Sequence, residues 1–422
     1  MAESSRSKRS MVVWSSLRMD LVRKVGDSLL ATSDVVSYLD MRTVCHNWRV
    51  AIPKPPPLSG VVDRFRPRDW VMLDQEKPAD RVDDVEPWPW SHDHDAGRLF
   101  LQLSTGRFLR LRVPQLEYDK NILVGTSDGL LVLGGSMGLH PARLLNPFTG
   151  DMLPFAAPIP QESMVLTAVA GSSSSPMLLF SFRDECHCER REVVYCADAT
   201  SPLCQVQLEG FHVSVLSYAG HLYTVEYEGG VYKVVGTPPH YHAELIAQSS
   251  DNYAGDYFLV ESAGELLVVS RRHKRVQVFR VDIERKLLKP VSNIGSRALF
   301  LGARCLSVDA DKLPSVFGNC IYYLDPQLSE VRANINMYDL GTRKLERFPF
   351  EYEDHSVRSS PIRPFSIVQT LLDYCGAVPN ICAQIADLKR CLCVRVLLLG
   401  PYMRVKHVNG KDLALARCWL LL

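Results

Sequence analysis

The sequence predicts a mainly β protein with a small N-terminal all-α module. Helical periodicity is confined to residues 17–52, where Leu21, Val25 and Leu29 recur at intervals of four. From about residue 61 the pattern changes to short runs rich in Val, Leu, Tyr and Phe, separated by Gly, Asp, Asn and Pro. Several of these runs follow a glycine at spacings typical of a repeated four-stranded unit. These observations predict three short helices followed by a β-propeller-like domain.

The helical module is expected to contain three elements. The first carries the stripe of Leu21, Val25 and Leu29, with Asp20 placed to cap it. The second is expected to start at Thr32 or Ser33, because either hydroxyl group can accept a hydrogen bond from the first turn. The third runs from residue 42 to residue 51 and ends before a proline. Together with residues 14–16, these elements define a module over residues 14–52.

Two flanking segments have compositions unlike a folded core. Residues 1–13 are rich in Ser and Arg and predict a disordered basic leader, with a weak similarity to an organelle transit peptide. Residues 53–60 contain the run KPPP, which excludes helix and predicts a stiff Pro-rich linker.

Residues 61–350 are predicted to form the β domain. Glycines that precede apolar strands are separated by 91, 44 and 54 residues, near one or two multiples of a propeller blade. Six to seven four-stranded blades would fit this length, and radial closure would leave few strand edges exposed. A β-sandwich of similar size remains an alternative. The glycines in question are Gly129, Gly220, Gly264 and Gly318.

Residues 351–422 lose the strand pattern and form a C-terminal tail of uncertain structure. Residues 352–365 have the composition of a linker, residues 366–374 are compatible with a helix, and residues 388–399 are apolar.

The charge balance argues against a general polyanion binder. The chain has 48 Lys and Arg residues against 47 Asp and Glu residues, so no global field draws it onto nucleic acid or an anionic membrane. Residues 61–351 carry 30 basic and 37 acidic side chains, a mild excess that favours a basic partner or simply a solvated surface.

Cysteine use and hydropathy predict a soluble intracellular protein, which as a ligase receptor is expected in the nucleus and cytoplasm, with an organelle as the alternative. Twelve cysteines in 422 residues form no repeated framework, as expected of reduced thiols. The longest apolar tract, near residues 391–400, is interrupted by Arg395 and is too short to cross a bilayer.

No catalytic, cofactor-binding or metal site is predicted. The chain lacks a P-loop, a Gly-x-Ser-x-Gly elbow, a His-Glu-x-x-His helix and a Gly-x-Gly-x-x-Gly turn. The clusters at residues 186–188, with Cys196 and Cys204 nearby, and at 391–393 are interpreted as strand residues rather than zinc ligands. Those at 92–95 and 240–242 are interpreted as polar loops.

Residues 14–25 (WSSLRMDLVRKV) and 44–51 (VCHNWRVA) resemble the F-box, a helical docking unit. The resemblance implies binding to a Skp-type adaptor and, through it, to a cullin. A module this short leaves apolar positions uncovered, which independently calls for a partner. By position, the adaptor-binding residues would be Leu17, Asp20, Leu21, Val22, Val25, Val44 and Cys45, with Leu29 and Trp48 in the module core.

One position departs from the F-box pattern. The family usually has Pro directly after the first Leu, and this chain has Arg18 there. The loss of a proline that stiffens the helix entry is expected to weaken adaptor binding without abolishing it. The alternative interpretation of the module is a three-helix cap packed on the β domain.

Four further segments resemble plant F-box proteins whose C-terminal region is the domain of unknown function numbered 295, which is kelch-like and propeller-like. They are RFRPRDWVML at 64–73, STGRFLR at 104–110, LNPFTG at 145–150 and GNCIYY at 318–323. The resemblance implies a non-catalytic substrate receptor of a Skp-cullin-F-box ubiquitin ligase with an unknown target protein. The runner-up is a propeller interaction module acting outside a ligase, possibly organelle-directed.

Overall fold

The computed structural model describes fourteen stretches of the chain. These are residues 17–55, 63–73, 97–116, 121–135, 141–159, 165–172, 175–184, 191–208, 210, 212–248, 255–272, 275–325, 334–349 and 367–376. The predicted leader, the second half of the predicted linker and most of the predicted tail lie outside these residues.

The N-terminal module contains three helices, as predicted, but the third begins at His46, because residues 42–44, which were assigned to it, belong to α2. They are α1 (Met19–Ala31), α2 (Val35–Val44) and α3 (His46–Ala51). Along α1, Val22, Gly26 and Leu30 are buried at intervals of four, which turns one side of the helix towards α2 and α3.

The caps of α1 and α2 differ from the prediction. Arg18, not Asp20, is the N-cap of α1, and Asp20 lies in its first turn. Asp34 caps α2 by accepting a hydrogen bond from the Ser37 N–H at 3.0 Å. Thr32 instead donates its hydroxyl to the Leu29 carbonyl at the end of α1, and Ser33 has a φ of 57°. The connection between the helices occupies both residues, so neither can cap α2.

The described residues of the β domain form twenty-four strands in five sheets. The first sheet consists of β1 (Trp70–Leu73), β2 (Arg98–Gln102) and β3 (Phe108–Leu111). The second consists of β4 (Asn121–Ser127), β5 (Leu130–Gly135), β6 (Pro141–Leu145) and β7 (Met152–Pro158).

The third sheet has eight strands. Its first four are β8 (Val165–Ser172), β9 (Ser175–Asp184), β10 (Arg191–Asp198) and β11 (Cys204–Gln207). Its last four are β12 (His212–Tyr218), β13 (His221–Glu226), β14 (Val231–Thr237) and β15 (His240–Ala247).

The last two sheets complete the domain. The fourth sheet consists of β16 (Asp256–Ser262), β17 (Glu265–Arg272), β18 (Arg275–Asp282) and β19 (Leu287–Val291). The fifth has the order β21-β20-β22-β23-β24 and contains β20 (Arg297–Leu301), β21 (Leu306–Asp309), β22 (Cys320–Asp325), β23 (Asn334–Asp339) and β24 (Lys344–Pro349).

Apolar clusters join neighbouring strand groups in chain order into a closed circuit. Separate clusters join β1–β3 to β4–β7, β4–β7 to β8–β9, β8–β11 to β12–β15, β12–β15 to β16–β18, and β16–β18 to β20–β24. A last cluster packs Phe300 and Tyr322 of the fifth sheet against Val71 and Leu101 of the first. The arrangement is propeller-like, because each sheet is covered on both faces by its neighbours and the last returns to the first.

The predicted number of blades was wrong. Among the described residues four sheets have four or more strands, so the structure has four blades rather than six to seven. The difference arises in the third sheet, where the parallel pair of β11 and β15, with Val206 opposite Tyr241, joins two successive four-strand meanders into one. The first sheet has only three strands. The spacing of the glycines indicates where each group of four antiparallel strands lies in the chain. It does not indicate how the edge strands of neighbouring groups pair.

Three of the four glycines that predicted the repeat, Gly129, Gly220 and Gly264, have positive φ in two-residue turns between paired strands, whereas Gly318 has no positive φ and lies in the longer connection that precedes β22. Asp128 and Gly129 form the two-residue connection from β4 to β5, and both have positive φ. Ala263 and Gly264 form the same connection from β16 to β17. Such turns match the right-handed twist of antiparallel strands.

We expect Gly129→Ala to destabilise the protein far more than Gly264→Ala. Both glycines have φ near +77°, at +76° and +78°, so alanine is strained at either position by about 1–2 kcal/mol. A Cβ atom at 129 would also overlap the carbonyl oxygen of Pro67, whereas nothing lies within 4 Å at 264. Chemical denaturation of the two variants measures the difference, and equal losses would contradict the close approach of Pro67.

The tail contributes a buried helix. The stretch compatible with a helix, 366–374, corresponds to α4 (Ile367–Gly376). Leu371, Leu372 and Cys375 are fully buried in the cluster that joins the fifth sheet to the first. The helix therefore packs at the junction where the circuit of sheets closes.

The helical module packs against the β domain. Val36 of α2 lies in the cluster that contains Trp70 and Phe100, and Phe148 contacts both this cluster and the module core. Phe65 belongs to the module core and meets Tyr38 edge-on, with ring centroids 5.6 Å apart. The helices are thus fixed to the first two sheets, as the alternative interpretation of the module required.

Candidate functional site

Several large apolar side chains are exposed on the helical module. Leu21 and Val25 are 41% and 46% exposed and lie one turn apart on α1, while Val44 at the end of α2 is 54% exposed. Leu17 and Cys45 are partly buried, and Asp20 is exposed. We call the surface formed by Leu21, Val25 and Val44 the exposed module face.

The structure corrects one predicted surface residue. Val22 is only 1% exposed and packs inside the module, because it lies on the side of α1 that carries Gly26 and Leu30. It can support the neighbouring surface but cannot contact a partner. Leu29 and Trp48 pack against the module core at the positions predicted for them.

Two exposed residues of the module were missed. Met19 and Val50 are both exposed, which brings the module to five of the eleven large exposed hydrophobic side chains in the described residues. Met19 lies two residues from Leu21 and so points to a different side of α1, which is why the stripe of Leu21, Val25 and Leu29 did not include it. Val50 follows Trp48 in α3, where six residues give too little periodicity to assign a face.

Arg18 has a backbone conformation that proline can adopt. Its φ is −58° and its ψ is 137°, close to the φ that the proline ring fixes. Its guanidinium group forms an ion pair with Asp20 at 3.0 Å, and both side chains are exposed. This ion pair helps to hold the pKa of Asp20 below its usual value against the opposing effect of burial.

We therefore expect Arg18→Pro to stabilise the protein by about 0.4–1 kcal/mol. The gain arises because proline restricts the conformations of the unfolded chain. Loss of the ion pair costs little stability, because water screens it. Chemical denaturation of the full chain measures the change. Arg18→Ala is the control, because it removes the ion pair without restricting the backbone and should give no gain. A less stable Pro variant would contradict the assigned helix entry.

A second candidate surface lies where hairpin turns of the β domain converge. A pocket of about 220 Å³ is lined by eight residues: Arg68, Asp128, Ser217, Tyr218, Ala219, Gly220, Glu261 and Gly264. These residues come from four separate parts of the chain: the segment before β1 and the turns that follow β4, β12 and β16. We call it the turn pocket.

Hydrogen bonds fix the turns around this pocket. The Tyr218 hydroxyl donates to the Gly264 carbonyl at 2.8 Å, and the Gly171 N–H donates to the Gly220 carbonyl at 3.0 Å. Arg66, only 2% exposed, pairs with Asp128 at 2.9 Å and donates to the Val169 carbonyl at 2.6 Å. The walls of the pocket are therefore preorganised, since each turn is tied to its neighbour.

The electrostatics of the turn pocket centre on Glu261. The pKa of Glu261 is raised because the pocket walls desolvate its carboxyl group and because Asp128 lies close to it. Arg68 and Arg66 lower this pKa without cancelling the rise. The pKa of the Tyr218 phenol is also raised, by desolvation and then by Glu261 and Glu265. Glu261 itself is an exposed residue.

The structure describes two parts of the candidate metal clusters, the cysteine pair at 196 and 204 and the histidines at 240 and 242. Cys196 and Cys204 are buried and lie directly opposite one another on β10 and β11, and burial raises the pKa of Cys196 to about 12. His240 and His242 lie in β15 rather than in the loop predicted, on either side of buried Tyr241. The clusters at 92–95, 186–188 and 391–393 lie outside the described residues. Within the described ranges no group of three metal-ligating side chains occurs.

The helices that the structure describes include none with the length and apolar character needed to cross a membrane.

Comparison with known proteins gives one family match. Residues 100–344, more than half of the chain, match the family model described as KIB1-4 beta-propeller. No curated protein matches the chain.

Several solved structures are distantly similar. TolB from Acinetobacter baumannii is 13% identical over 60% of this chain and 59% of that chain, with a TM-score of 0.31. The allergen Mala s 1 from Malassezia sympodialis is 10% identical over 64% and 89%, with a TM-score of 0.27. Apo AztD from Citrobacter koseri is 8% identical over 59% and 79%, with a TM-score of 0.28. The chain spans about three fifths of the TolB structure.

Proposed function

The chain belongs to the KIB1-4 β-propeller family, and from that premise we propose that it is the substrate-recognition subunit of a Skp-cullin-F-box ubiquitin ligase. The helical module binds a Skp-type adaptor and, through it, a cullin, while the β domain binds a target protein. The subunit itself is non-catalytic. It raises the effective concentration of target lysines near the ubiquitin-charged enzyme.

The observation that carries the proposal is the concentration of exposed apolar side chains on the helical module. Soluble proteins rarely leave a cluster of large apolar side chains in water unless a partner covers it. The module is 35 residues long from Leu17 to Ala51 and carries almost half of the large exposed hydrophobic side chains among the described residues. The resemblance of residues 14–25 and 44–51 to the F-box supports a Skp-type adaptor as the proposed partner.

The adaptor would contact the exposed module face together with Leu17, Asp20 and Cys45. Leu21 and Val25 project from one side of α1, whereas Val22 and Leu30 hold the other side against the core. Packing of α2 on the β domain through Val36 leaves this outer side of α1 uncovered in the described structure. One module can therefore be both a cap on the sheets and a docking unit.

A second function has one observation in its favour. Because Val36, Phe65 and Phe148 fix the helices to the sheets, the module could serve only to cover the β domain, as in a propeller interaction protein outside any ligase. Such a protein could be directed to an organelle, whereas the ligase subunit belongs to the nucleus and cytoplasm. Neither proposed function involves nucleic acid or a membrane.

Binding of the purified full chain to a Skp-type adaptor tests the first function. We expect a stoichiometric complex by size-exclusion chromatography, and its absence would favour the cap. A fluorescent fusion to residues 1–20 separates the two cellular locations. A diffuse nuclear and cytoplasmic signal supports the ligase subunit, and import into an organelle supports the second function.

A further inference from the structure

We propose that Cys196 and Cys204 form a redox-sensitive disulfide that fixes β11 to β10. The two residues lie directly opposite one another on antiparallel strands, and both are free thiols in the structure. Residues so placed have Cα atoms about 4.5–5.5 Å apart, and a disulfide spans about 4.4–6.8 Å. The two side chains project to the same face of the sheet, where both belong to one apolar cluster. The bond can therefore form without a change of strand register.

The turn that connects the two strands sets this alignment. The carboxylate of Asp198 accepts hydrogen bonds from the N–H groups of Thr200 at 2.8 Å and Ser201 at 2.7 Å. The Ser201 hydroxyl accepts a hydrogen bond from the Asp198 N–H at 3.0 Å, which closes the same turn. Because the turn is held in this way, Cys204 returns opposite Cys196 rather than one residue out of register.

Burial keeps the two thiols unreactive while the strands are paired. Cys196 is 0% exposed and Cys204 is 7% exposed. Burial raises the pKa of Cys196 to about 12, so little thiolate is present near neutral pH. Oxidation therefore requires β11 to move away from β10. This opening is local, because β11 pairs with β10 and with β15 over only two residues each.

The oxidant is a small-molecule disulfide such as glutathione disulfide. When β11 opens, the Cys204 thiol loses its proton to water and its sulfur attacks the small disulfide, which forms a mixed disulfide and releases one thiolate. The Cys196 thiol then loses its proton, and its sulfur attacks the Cys204 sulfur, forms the protein disulfide and displaces the second small thiolate. The two released thiolates take up the two protons. Two protein thiols are thus oxidised, and one small disulfide is reduced to two thiols.

The disulfide acts on the strand that joins the two halves of the third sheet. β11 pairs with β10 on one side and with β15 on the other, which unites β8–β10 with β12–β15. A bond from β11 to β10 holds one side of this junction covalently. In the reduced protein the junction depends on two pairs of residues on each side.

Oxidation of the purified full chain in glutathione buffers of increasing disulfide content tests the proposal. Free thiols are alkylated in denaturant, and cleavage before Asp198 separates the two cysteines, so mass spectrometry should show one linked pair of peptides. Cys320 is the matched control, because it is also buried but lies opposite Asp339 and Ala298. It should remain a free thiol in buffers that cross-link at least half of the chains.

Hydrogen exchange gives a second readout, on the strand itself. The N–H groups of residues 205–207 should exchange at least about tenfold more slowly after oxidation, because the disulfide limits the opening of β11. Cys204→Ser is the control for the oxidant. Its exchange rates should be the same before and after treatment, since no cross-link can form.

Three results would overturn the proposal: no cross-link between Cys196 and Cys204 in the folded chain, equal oxidation of Cys320, or unchanged exchange of residues 205–207 in the cross-linked protein. The proposal does not depend on the proposed function, because both cysteines lie in the β domain and neither belongs to the helical module.

Discussion

Replacing Leu371 by alanine should lower the free energy of unfolding by about 2–5 kcal/mol, the usual loss for a large-to-small change at a fully buried leucine. Leu371 is 0% exposed and lies in the cluster that joins the fifth sheet to the first. Few alternative contacts can fill the space it leaves, because α4 packs against β1, β20 and β22 together. Chemical denaturation of the full chain, followed by tryptophan fluorescence, measures the loss.

Polar contacts at the end of α4 explain why the loss should affect the whole β domain. Arg304 donates to the Tyr374 carbonyl at 3.0 Å, lies 4.2 Å from the Tyr374 ring and donates to the Thr126 hydroxyl at 3.1 Å. Thr126 belongs to the second sheet, so the helix connects the first, second and fifth sheets. Loosening α4 therefore weakens the closure of the circuit.

Leu287→Ala is the matched control for this prediction. The substitution is chemically the same, but Leu287 is 51% exposed, so its cost should be within about 0.5 kcal/mol. Equal denaturation midpoints for the two variants would contradict the buried position of α4. They would indicate that strands alone close the circuit of sheets.

Local patterns in the sequence were sufficient for the class of fold. The stripe of Leu21, Val25 and Leu29 predicted α1, and the turn glycines predicted strands at the correct places. A run of alternating polarity cannot reveal how sheet edges meet, however, so the pairing of Val206 with Tyr241 and the resulting number of blades were not predictable. Edge pairing depends on contacts between strands far apart in the chain.

The candidate surfaces, too, could be predicted only in part from local patterns in the sequence. The spacing of Leu21 and Val25 placed them on one stripe, but it could not tell which side of the helix packs against α2 and α3, and Val22 was therefore misplaced. The turn pocket was missed altogether. Arg68, Asp128, Tyr218 and Glu261 are separated by up to 193 residues and meet only because the circuit of sheets closes.

Replacing both Leu21 and Val25 by aspartate should reduce adaptor affinity at least about thirtyfold while leaving the stability of the chain nearly unchanged. Central apolar contacts in protein interfaces typically contribute about 2 kcal/mol or more, which corresponds to this factor. Both side chains are more than 40% exposed, so aspartate at these positions meets water in the free protein. Isothermal titration of the variant with a purified Skp-type adaptor measures the affinity, and denaturation checks the fold.

The control must show that the effect depends on position and not on lost apolar surface. Leu245 is 43% exposed in β15 of the β domain, nearly the same as Leu21 at 41%. Leu245→Asp should therefore bind the adaptor as the unchanged chain does. If it weakens binding as much as the double variant, the adaptor contacts the β domain. If neither change weakens binding, the adaptor does not use the exposed module face, and the apolar residues there must be covered by a different partner.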